Sequence, residues 1–505
     1  MTRKIELDED PYQRLLSVGR LRVSKANRVS SLQLEAASDR GRVLFSNAFR
    51  RMQSKTQVFD QEWNGAVRTR LTHSLEVATV GRYMTEMAVS RLAAGNWLGQ
   101  DPSLVVERGQ AMVTFVEVAC LAHDIGNPPF GHFAEKTIQA WFVDQFEKFA
   151  AGYVNTPEEE STFELGYNDF RFFDGNAQGF RLVAKLQWLR DGFGFNLTST
   201  QLAALLKYPW TPDRVGKVMG GKTVAKAGVF STEAKELNAV RSDLGLDFGQ
   251  RHPLAYLMEA ADDISYCLSD IEDALEKNIV TREQFQAWMF SKLSRPSPML
   301  ASFLDALKIV DDKNTSRSAW FVSFRTVVTQ TLVDVGAQLF EESQHDVLLG
   351  KYFDLLELDV NAATFLSSIK DFAKTHLYCS PIVRRRELVG FQVVKGLLDR
   401  FGLLLRFSTI EFQALLSRKG DFSNVLKTPN LGALTVVQAE TLISYLPEKH
   451  VLAYFHACRE EGDCGGAREW LLRAHLVVDF ISGMTDDFAI IMHQQLYSGG
   501  PVRVS

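Results

Sequence analysis

The stretch from Val105 to Gly131 constrains the fold more than any other part of the chain. Val105–His123 is a strongly apolar run with helical recurrence, and it closes on the adjacent pair His123-Asp124. Pro128, Pro129 and Gly131 then break the pattern, because proline lacks an amide donor and clashes with the preceding turn. A helix this apolar belongs at the centre of a domain, with other helices wrapped around it. An adjacent imidazole and carboxylate at its end can share one divalent cation. Such a pair alone carries little weight, so partners must come from elsewhere in the chain.

Those partners sit on other helical stretches. Leu71–Ala93 carries Leu75, Val77, Val80, Tyr83, Met84, Met87 and Leu92 at mixed three- and four-residue steps, the mark of a buried stripe. Phe133–Phe146 and Gly175–Arg190 repeat the pattern, and Leu254–Lys277 is a further strong helix. Between them, Ala151–Asp174, with Gly152, Pro157 and Glu158–Glu160, reads as an irregular surface insertion. Tyr208–Val229, rich in Gly, Lys and Pro, reads as a short hairpin or mobile loop. The arginines and lysine of Ala37–Gln57 read as a solvated helix face plus loop. Strand-like alternation is scarce throughout, so the fold class is all-α.

Composition bounds the function. A formal net charge of -5 speaks against a wholesale basic surface for nucleic acid. The five cysteines contain no Cys-x-x-Cys pair and read as reduced thiols. The N-terminus is too charged for a signal peptide, and no apolar run approaches the ~18 residues of a membrane span. The expectation is a soluble, cytoplasmic protein.

His73, in Arg-Leu-Thr-His-Ser, lies early on one helix, and Asp262 lies inside another helix that is otherwise apolar on that side. A carboxylate there is costly unless a metal or other charge compensates it. Two imidazoles and two carboxylates make a mixed nitrogen and oxygen site, suited to Mn²⁺, Mg²⁺ or Fe²⁺. Asp262, Tyr266 and Asp270 are spaced by four and share one helix face.

The order His … His-Asp … Asp resembles the HD phosphohydrolase superfamily. The flanks Lys55–Phe59, Arg68–Ser74, His123–His132, Gly175–Gly179 and Glu259–Tyr266 resemble its deoxynucleoside triphosphate triphosphohydrolases, and most of all the long bacterial dGTP triphosphohydrolases. Asp479–Asp486 resembles that group too. The resemblance implies an HD-domain helical core with a helical C-terminal extension. The core would occupy residues 1–277, with insertions near 151–174 and 208–250, and residues 278–505 would complete the pocket and the oligomer contacts.

It also implies roles. His73, His123, Asp124 and Asp262 would hold one divalent metal, with Asp263 as a neighbouring group. His132 and Glu135, three apart on a helix, would act on the scissile centre, the glutamate orienting the histidine. Lys207, Lys226 and Asn176 would contact the triphosphate. Tyr266 would pack where a 2′-hydroxyl would sit, with Asp270 and Gln57 as further sugar contacts. Glu387 and Phe391 are candidates for the base pocket, and Lys449 and Val451 stand where the family carries arginine. Arg68 and Arg70 either reach the metal face or cap the helix.

The reaction implied is metal-dependent hydrolysis of dNTPs, dGTP favoured, to deoxynucleoside and tripolyphosphate. Family members are homo-oligomers, commonly hexamers, and some respond to single-stranded DNA or to a dNTP effector. Two rival readings share parts of this pattern: another HD chemistry, such as a 5′-nucleotidase or phosphodiesterase, and a nucleotide- or single-stranded-DNA-binding regulator.

Overall fold

Local chemistry sets where the principal helices begin. Ser31 caps α1 (Leu32–Leu44) by accepting from the Leu34 amide. Thr69 and Thr72 form a reciprocal capping box at the start of α2 (Arg70–Ala94). Asp101 caps α3 (Pro102–Ala122), with proline in the first turn. After the Pro128-Pro129 turn come α4 (His132–Ala150), α5 (Pro157–Arg171) and α6 (Gly175–Arg181), the last capped by Asp174. His252 and Pro253 open α7 (Pro253–Glu276). The C-terminal half adds α8 (Ala319–Glu342), α9 (Pro381–Phe401) and α10 (Gly466–Ser482), among shorter helices. The computed structural model describes residues 10–22, 31–59, 67–154, 156–186, 193–219, 222–294, 296–308, 319–351, 353–417, 433–460 and 466–498.

Among these residues the only sheet is a two-stranded hairpin, β1 (Val218–Met219) with β2 (Lys222–Thr223), so the chain is all-α as expected. The expected helix Gly175–Arg190 is followed as far as Leu186; residues 187–190 lie outside the described residues, as does Cys464. Cys120, Cys267, Cys379 and Cys458 are free thiols, all buried but Cys379. Among the described residues no helix is long and apolar enough to cross a membrane.

Two apolar cores organise the helices. In the first, α2, α3 and α7 pack against one another, with α1 against α3 and α8 against α2. Their approach is close: a Cβ on Gly81 of α2 would sit 2.5 Å from the Cys120 sulfur of α3 and 3.3 Å from the Ala261 Cβ of α7. Any side chain there would force these three helices apart. In the second core, α4 packs on α5 and α9, and α10 on α5 and α9.

The second core corrects the reading of Ala151–Asp174 as a surface insertion. Residues 157–171 are the helix α5, and Phe163, Tyr167 and Phe170 on it are fully buried, with Phe173 just beyond. The spacing of these aromatics puts them on one face, while Glu160 points to solvent. Tyr167 stacks on Trp470 of α10, with ring centroids 5.7 Å apart and planes 10° from parallel. The Trp470 indole donates to the Leu405 carbonyl at 3.0 Å. Trp470→Ala should therefore cost about 3–5 kcal/mol of stability, read as a lower midpoint in urea unfolding. A loss below about 1 kcal/mol would mean that the aromatic stack does not hold α5 and α10 together.

The basic segment before α2 is also less solvated than its composition suggests. Arg40 pairs with Glu117 at 2.8 Å with a half-exposed side chain, but Lys55 is buried. Its ammonium donates to the Asn127 carbonyl and, at 3.0 Å, to the Ser482 carbonyl at the end of α10. Burial, with Arg51 adding to it, lowers the Lys55 pKa to about 7. Lys55 thus ties the Gly/Pro turn that follows His123-Asp124 to the C-terminal region.

Candidate active site

Three helices of the first core converge on one point. His73 lies one turn into α2, His123 caps the end of α3, and Asp262 lies midway along α7. Asp262 Oδ1 is 3.3 Å from His73 Nε2 and 3.5 Å from His123 Nε2, and the two imidazoles meet edge to face at 5.5 Å. His123 Nδ1 lies 2.7 Å from the Cys120 carbonyl, which can only accept, so Nδ1 carries the proton. Its Nε2 faces the Asp262 carboxylate. Asp124 stands at the edge of this group, Oδ1 3.7 Å from His123 Nε2, and is held by Asn127 and by Arg70 at 2.6 Å. Burial alone would raise the Asp124 carboxyl, but the Arg70 guanidinium and the two imidazoles overcome it and hold the pKa at about 2. The same contest, with His123 and His73 as the opposing groups, holds Asp262 well below the usual carboxylate range.

The turn after Asp124 brings in a second pair. Phe130 and Gly131 both take φ of 62°, and a Cβ on Gly131 would lie 2.5 Å from Arg70 Nη2, so glycine lets the chain pass over the guanidinium. His132 then starts α4 with its side chain 65% exposed, and its Nδ1 lies 2.7 Å from Glu135 Oε2. Glu135 is buried, and its other oxygen accepts from the Gly175 amide at 2.8 Å. Burial pushes the Glu135 carboxyl up; His132, Lys226 and the Gly175 amide more than offset it and bring it below its ordinary value.

The expected phosphate contacts fall into two places. Lys207 Nζ is 3.2 Å from Glu259, itself paired with the buried Arg251, and lines the same cavity as the metal-type cluster. Lys226 Nζ is 2.9 Å from Asp174, whose other oxygen accepts from the Asn176 side chain at 2.7 Å. Asn176 and His123 border a common small gap beside Gly179.

The cavity measures about 500 Å³ and is lined by Arg70, His73, Asp124, His132, Lys207 and Asp262. Gln57, Tyr266 and Glu387 also line it, as expected. Phe391 does not: it is 39% exposed on α9, four residues beyond Glu387, and is not among the lining residues. Val451 is buried in the second core. Arg68 is also turned away from the cluster, paired with Glu76, Glu272 and Asp273. Asp263 pairs with Lys370 at 3.2 Å rather than joining the imidazoles.

Asp270 is 1% exposed and sits behind the cavity wall, where Tyr378 donates to its Oδ2 at 2.6 Å and its Oδ1 has no partner. Burial pushes the Asp270 carboxyl up to about 7. A carboxyl whose folded pKa exceeds its unfolded one contributes stability at low pH that is lost as pH rises from about 4 to about 7. Asp270→Asn lacks this loss. Between about pH 5 and pH 8 the stability of Asp270→Asn should gain on wild type by on the order of 2–3 kcal/mol, measured by unfolding at each pH. A constant difference would show that Asp270 does not titrate there.

An HD-domain family model matches residues 70–167, which run from the start of α2 into α5. Across nearly the whole chain, the sequence is 35% identical over 480 residues to a probable deoxyguanosinetriphosphate triphosphohydrolase of Pseudomonas aeruginosa, covering 90% of this chain and 91% of that protein. It is 35% identical over 487 residues to the deoxyguanosinetriphosphate triphosphohydrolase of Cronobacter sakazakii, at 90% and 91% coverage, and 33% identical over 490 residues to that of Serratia proteamaculans, at 91% and 93%. The chain belongs to the deoxyguanosinetriphosphate triphosphohydrolase family within the HD superfamily.

The HD domain implies divalent metal binding, and the residues fit it. Two imidazole nitrogens and a carboxylate oxygen cluster within 4.8 Å of one another, the donor set and spacing that a divalent cation takes. The buried His73 Nδ1 also lacks a partner.

Polar lining residues that the sequence did not single out are Lys136 on α4, Lys370, Tyr378, and Arg386 on α9, the last inside the stretch that carries Glu387 and Phe391. Tyr378 and Tyr266 bring their hydroxyls together, and Arg386 reaches Asp486 at 3.0 Å. The one available signal was Arg386 beside Glu387; nothing local marked Lys370 or Tyr378.

Proposed function

We propose that the protein hydrolyses 2′-deoxynucleoside triphosphates, dGTP foremost, to deoxynucleoside and tripolyphosphate, and so controls dNTP pools. The observation that carries this reading is the cavity lined together by His73, Asp124, Asp262, His132 and Lys207, with His123 3.5 Å from Asp262 and Glu135 2.7 Å from His132 behind its wall. His73, His123 and Asp262, with Asp124 beside them, would hold one cation, for which the mixed donor set favours Mn²⁺ or Mg²⁺, or Fe²⁺. Such a cation supplies positive charge to phosphate oxygens.

The chain's own groups do the rest. Water attacks the α-phosphorus, the bond from phosphorus to the 5′-oxygen breaks, and the 5′-oxygen takes a proton as tripolyphosphate forms. His132 is the group to take the water's proton at Nε2 and hand it on to the 5′-oxygen, because Glu135 occupies its Nδ1 and leaves Nε2 for the cavity. Lys207, Lys226 and Asn176 would neutralise and orient the phosphates. Gln57 and Tyr266 would meet the sugar, Asp270 would support them from behind, and Glu387 would meet the base.

The test is a product analysis of dGTP, the other dNTPs and GTP with Mg²⁺ or Mn²⁺, resolved by ion exchange. Deoxynucleoside with tripolyphosphate is expected. Monophosphate with pyrophosphate, or stepwise phosphate loss, would move the protein to another HD chemistry. The same assay with single-stranded DNA added tests the effector, and light scattering tests the hexamer. Lys207→Ala should raise KM for dGTP about tenfold or more, since it removes a charged phosphate contact; an unchanged KM would exclude that role.

A further inference from the structure

Asp486 opens α11 (Asp486–Ser498), the last helix of the described residues, and is only 7% exposed. Its carboxylate accepts four hydrogen bonds from three distant segments of the chain. Oδ1 takes the amide of Phe130, 356 residues earlier, at 3.0 Å. Oδ2 takes the Thr56 amide at 3.2 Å, the Thr56 hydroxyl at 2.5 Å and the Arg386 guanidinium at 3.0 Å. Every donor belongs to the cavity or adjoins it: Phe130 and Arg386 line it, and Thr56 precedes Gln57, which also does. Asp486 is not among the lining residues. The same segments meet again at Lys55, whose buried ammonium joins the Asn127 and Ser482 carbonyls. A cation and an anion thus tie the catalytic turn, the segment before Gln57 and the C-terminal region together twice.

The bond to Phe130 bears most directly on the reaction. Phe130 has a φ of 62°, a left-handed conformation that a side chain other than glycine keeps only where its surroundings hold it. Asp486 holds its amide, and Gly131 and His132 follow at once. The bond therefore sets where the chain enters α4. Glu135 fixes the His132 ring at Nδ1, but where that ring stands in the cavity depends on the turn. A shift of the turn moves Nε2 away from the reacting atoms, and proton transfer is steeply sensitive to such a displacement.

We propose that Asp486 is a positioning residue for the reaction in this cavity: through the Phe130 amide it fixes the turn that presents His132, and through Thr56 and Arg386 it holds the neighbouring wall in register with that turn. The C-terminal helix thereby takes part in catalysis without touching substrate. The inference rests on the proposed dNTP hydrolysis and adds a residue to its machinery.

The experiment compares wild type, Asp486→Asn, His132→Ala and the double variant with dGTP and Mn²⁺, following tripolyphosphate release, with urea unfolding to confirm that each is folded. Asparagine keeps the shape of aspartate but has one oxygen and one NH₂ group. Its oxygen belongs with the Arg386 guanidinium and the Thr56 amide, which can only donate. The NH₂ group then faces the Phe130 amide, donor against donor, and the bond to the catalytic turn is the one lost. In Asp486→Asn, kcat for dGTP should fall by about tenfold or more while KM stays within about threefold. In the His132→Ala background the same change should move kcat by less than about twofold, because the group being positioned is gone. A kcat for Asp486→Asn within about twofold of wild type overturns the proposal while leaving dGTP hydrolysis standing, and so does a loss carried by KM alone. An undiminished fall in the His132→Ala background, which a merely structural role would give, also overturns it. If Asp486→Asn does not fold, Asp486→Glu, which keeps the charge but moves the carboxylate out by one methylene, is held to the same outcomes. Wild type that releases no tripolyphosphate from dGTP removes both this inference and the activity on which it rests.

Discussion

Asp262→Ala is expected to lower kcat/KM for dGTP by at least about 10³-fold, with the fold intact. The Asp262 carboxylate is the one group within 3.5 Å of both His73 Nε2 and His123 Nε2. Without it the two imidazoles lose the anionic donor that completes a cation site, and electrostatic stabilisation of the phosphates goes with the cation. Alanine is the best helix former, and the packing of α7 is made by other positions, so the helix should survive. Cation binding gives a second readout. Saturating Mn²⁺ at about a hundred times its dissociation constant should stabilise wild type by about 2.7 kcal/mol and leave Asp262→Ala unmoved. The neighbouring Asp263→Ala is the control: its carboxylate pairs with Lys370, and the loss should stay below about tenfold. Turnover retained in Asp262→Ala, or an equal loss in Asp263→Ala, would defeat this assignment of the ligands.

The contrast between those neighbours shows how far the sequence could be read. Adjacent helix positions lie 100° apart, so only one of Asp262 and Asp263 can face the imidazoles, and it was the resemblance to the superfamily, not the helical period, that favoured Asp262. Periodicity placed His73, His123 and Asp262 on α2, α3 and α7, but that the three meet followed from the resemblance to the HD superfamily, since a helical period says nothing of which helices pack together. Arg68 and Arg70 lie two apart and so point to different sides of α2, but nothing local says which side holds the site; Arg70 reaches Asp124 and Arg68 turns to Asp273. The limits were reached where contacts span long separations. Lys370 and Tyr378 enter the cavity through tertiary packing against α7 and carry no local pattern of their own. Polar residues at the start of α5 masked the aromatic face formed by Phe163, Tyr167 and Phe170, although their spacing was visible. Phe391 follows Glu387 by four residues, yet of the two only Glu387 lines the cavity.

Glu135→Gln is expected to lower kcat for dGTP by about 10²–10⁴-fold with little change in KM. The wild-type carboxylate offers two acceptors, and both are used: Oε1 takes the Gly175 amide at 2.8 Å and Oε2 faces His132 Nδ1 at 2.7 Å. Glutamine has the same shape but only one acceptor. If its oxygen stays with Gly175, its amide donor faces His132 Nδ1, which must then accept. The imidazole proton moves to Nε2, and the nitrogen turned toward the cavity can no longer take a proton from water. If the oxygen instead turns to His132, an amide donor is pressed against the Gly175 amide in a buried position, an arrangement costing on the order of 1–3 kcal/mol. The first arrangement is therefore favoured, and it disables His132 without moving it. Lys207, Gln57 and Tyr266 line the cavity without bonding to Glu135, which is why KM should hold. His132→Ala should lose a similar factor, and the two changes together should lose no more than one alone, since both remove the same proton transfer. A KM-only effect, or losses that multiply in the double variant, would mean that Glu135 acts on the reaction by some route other than His132.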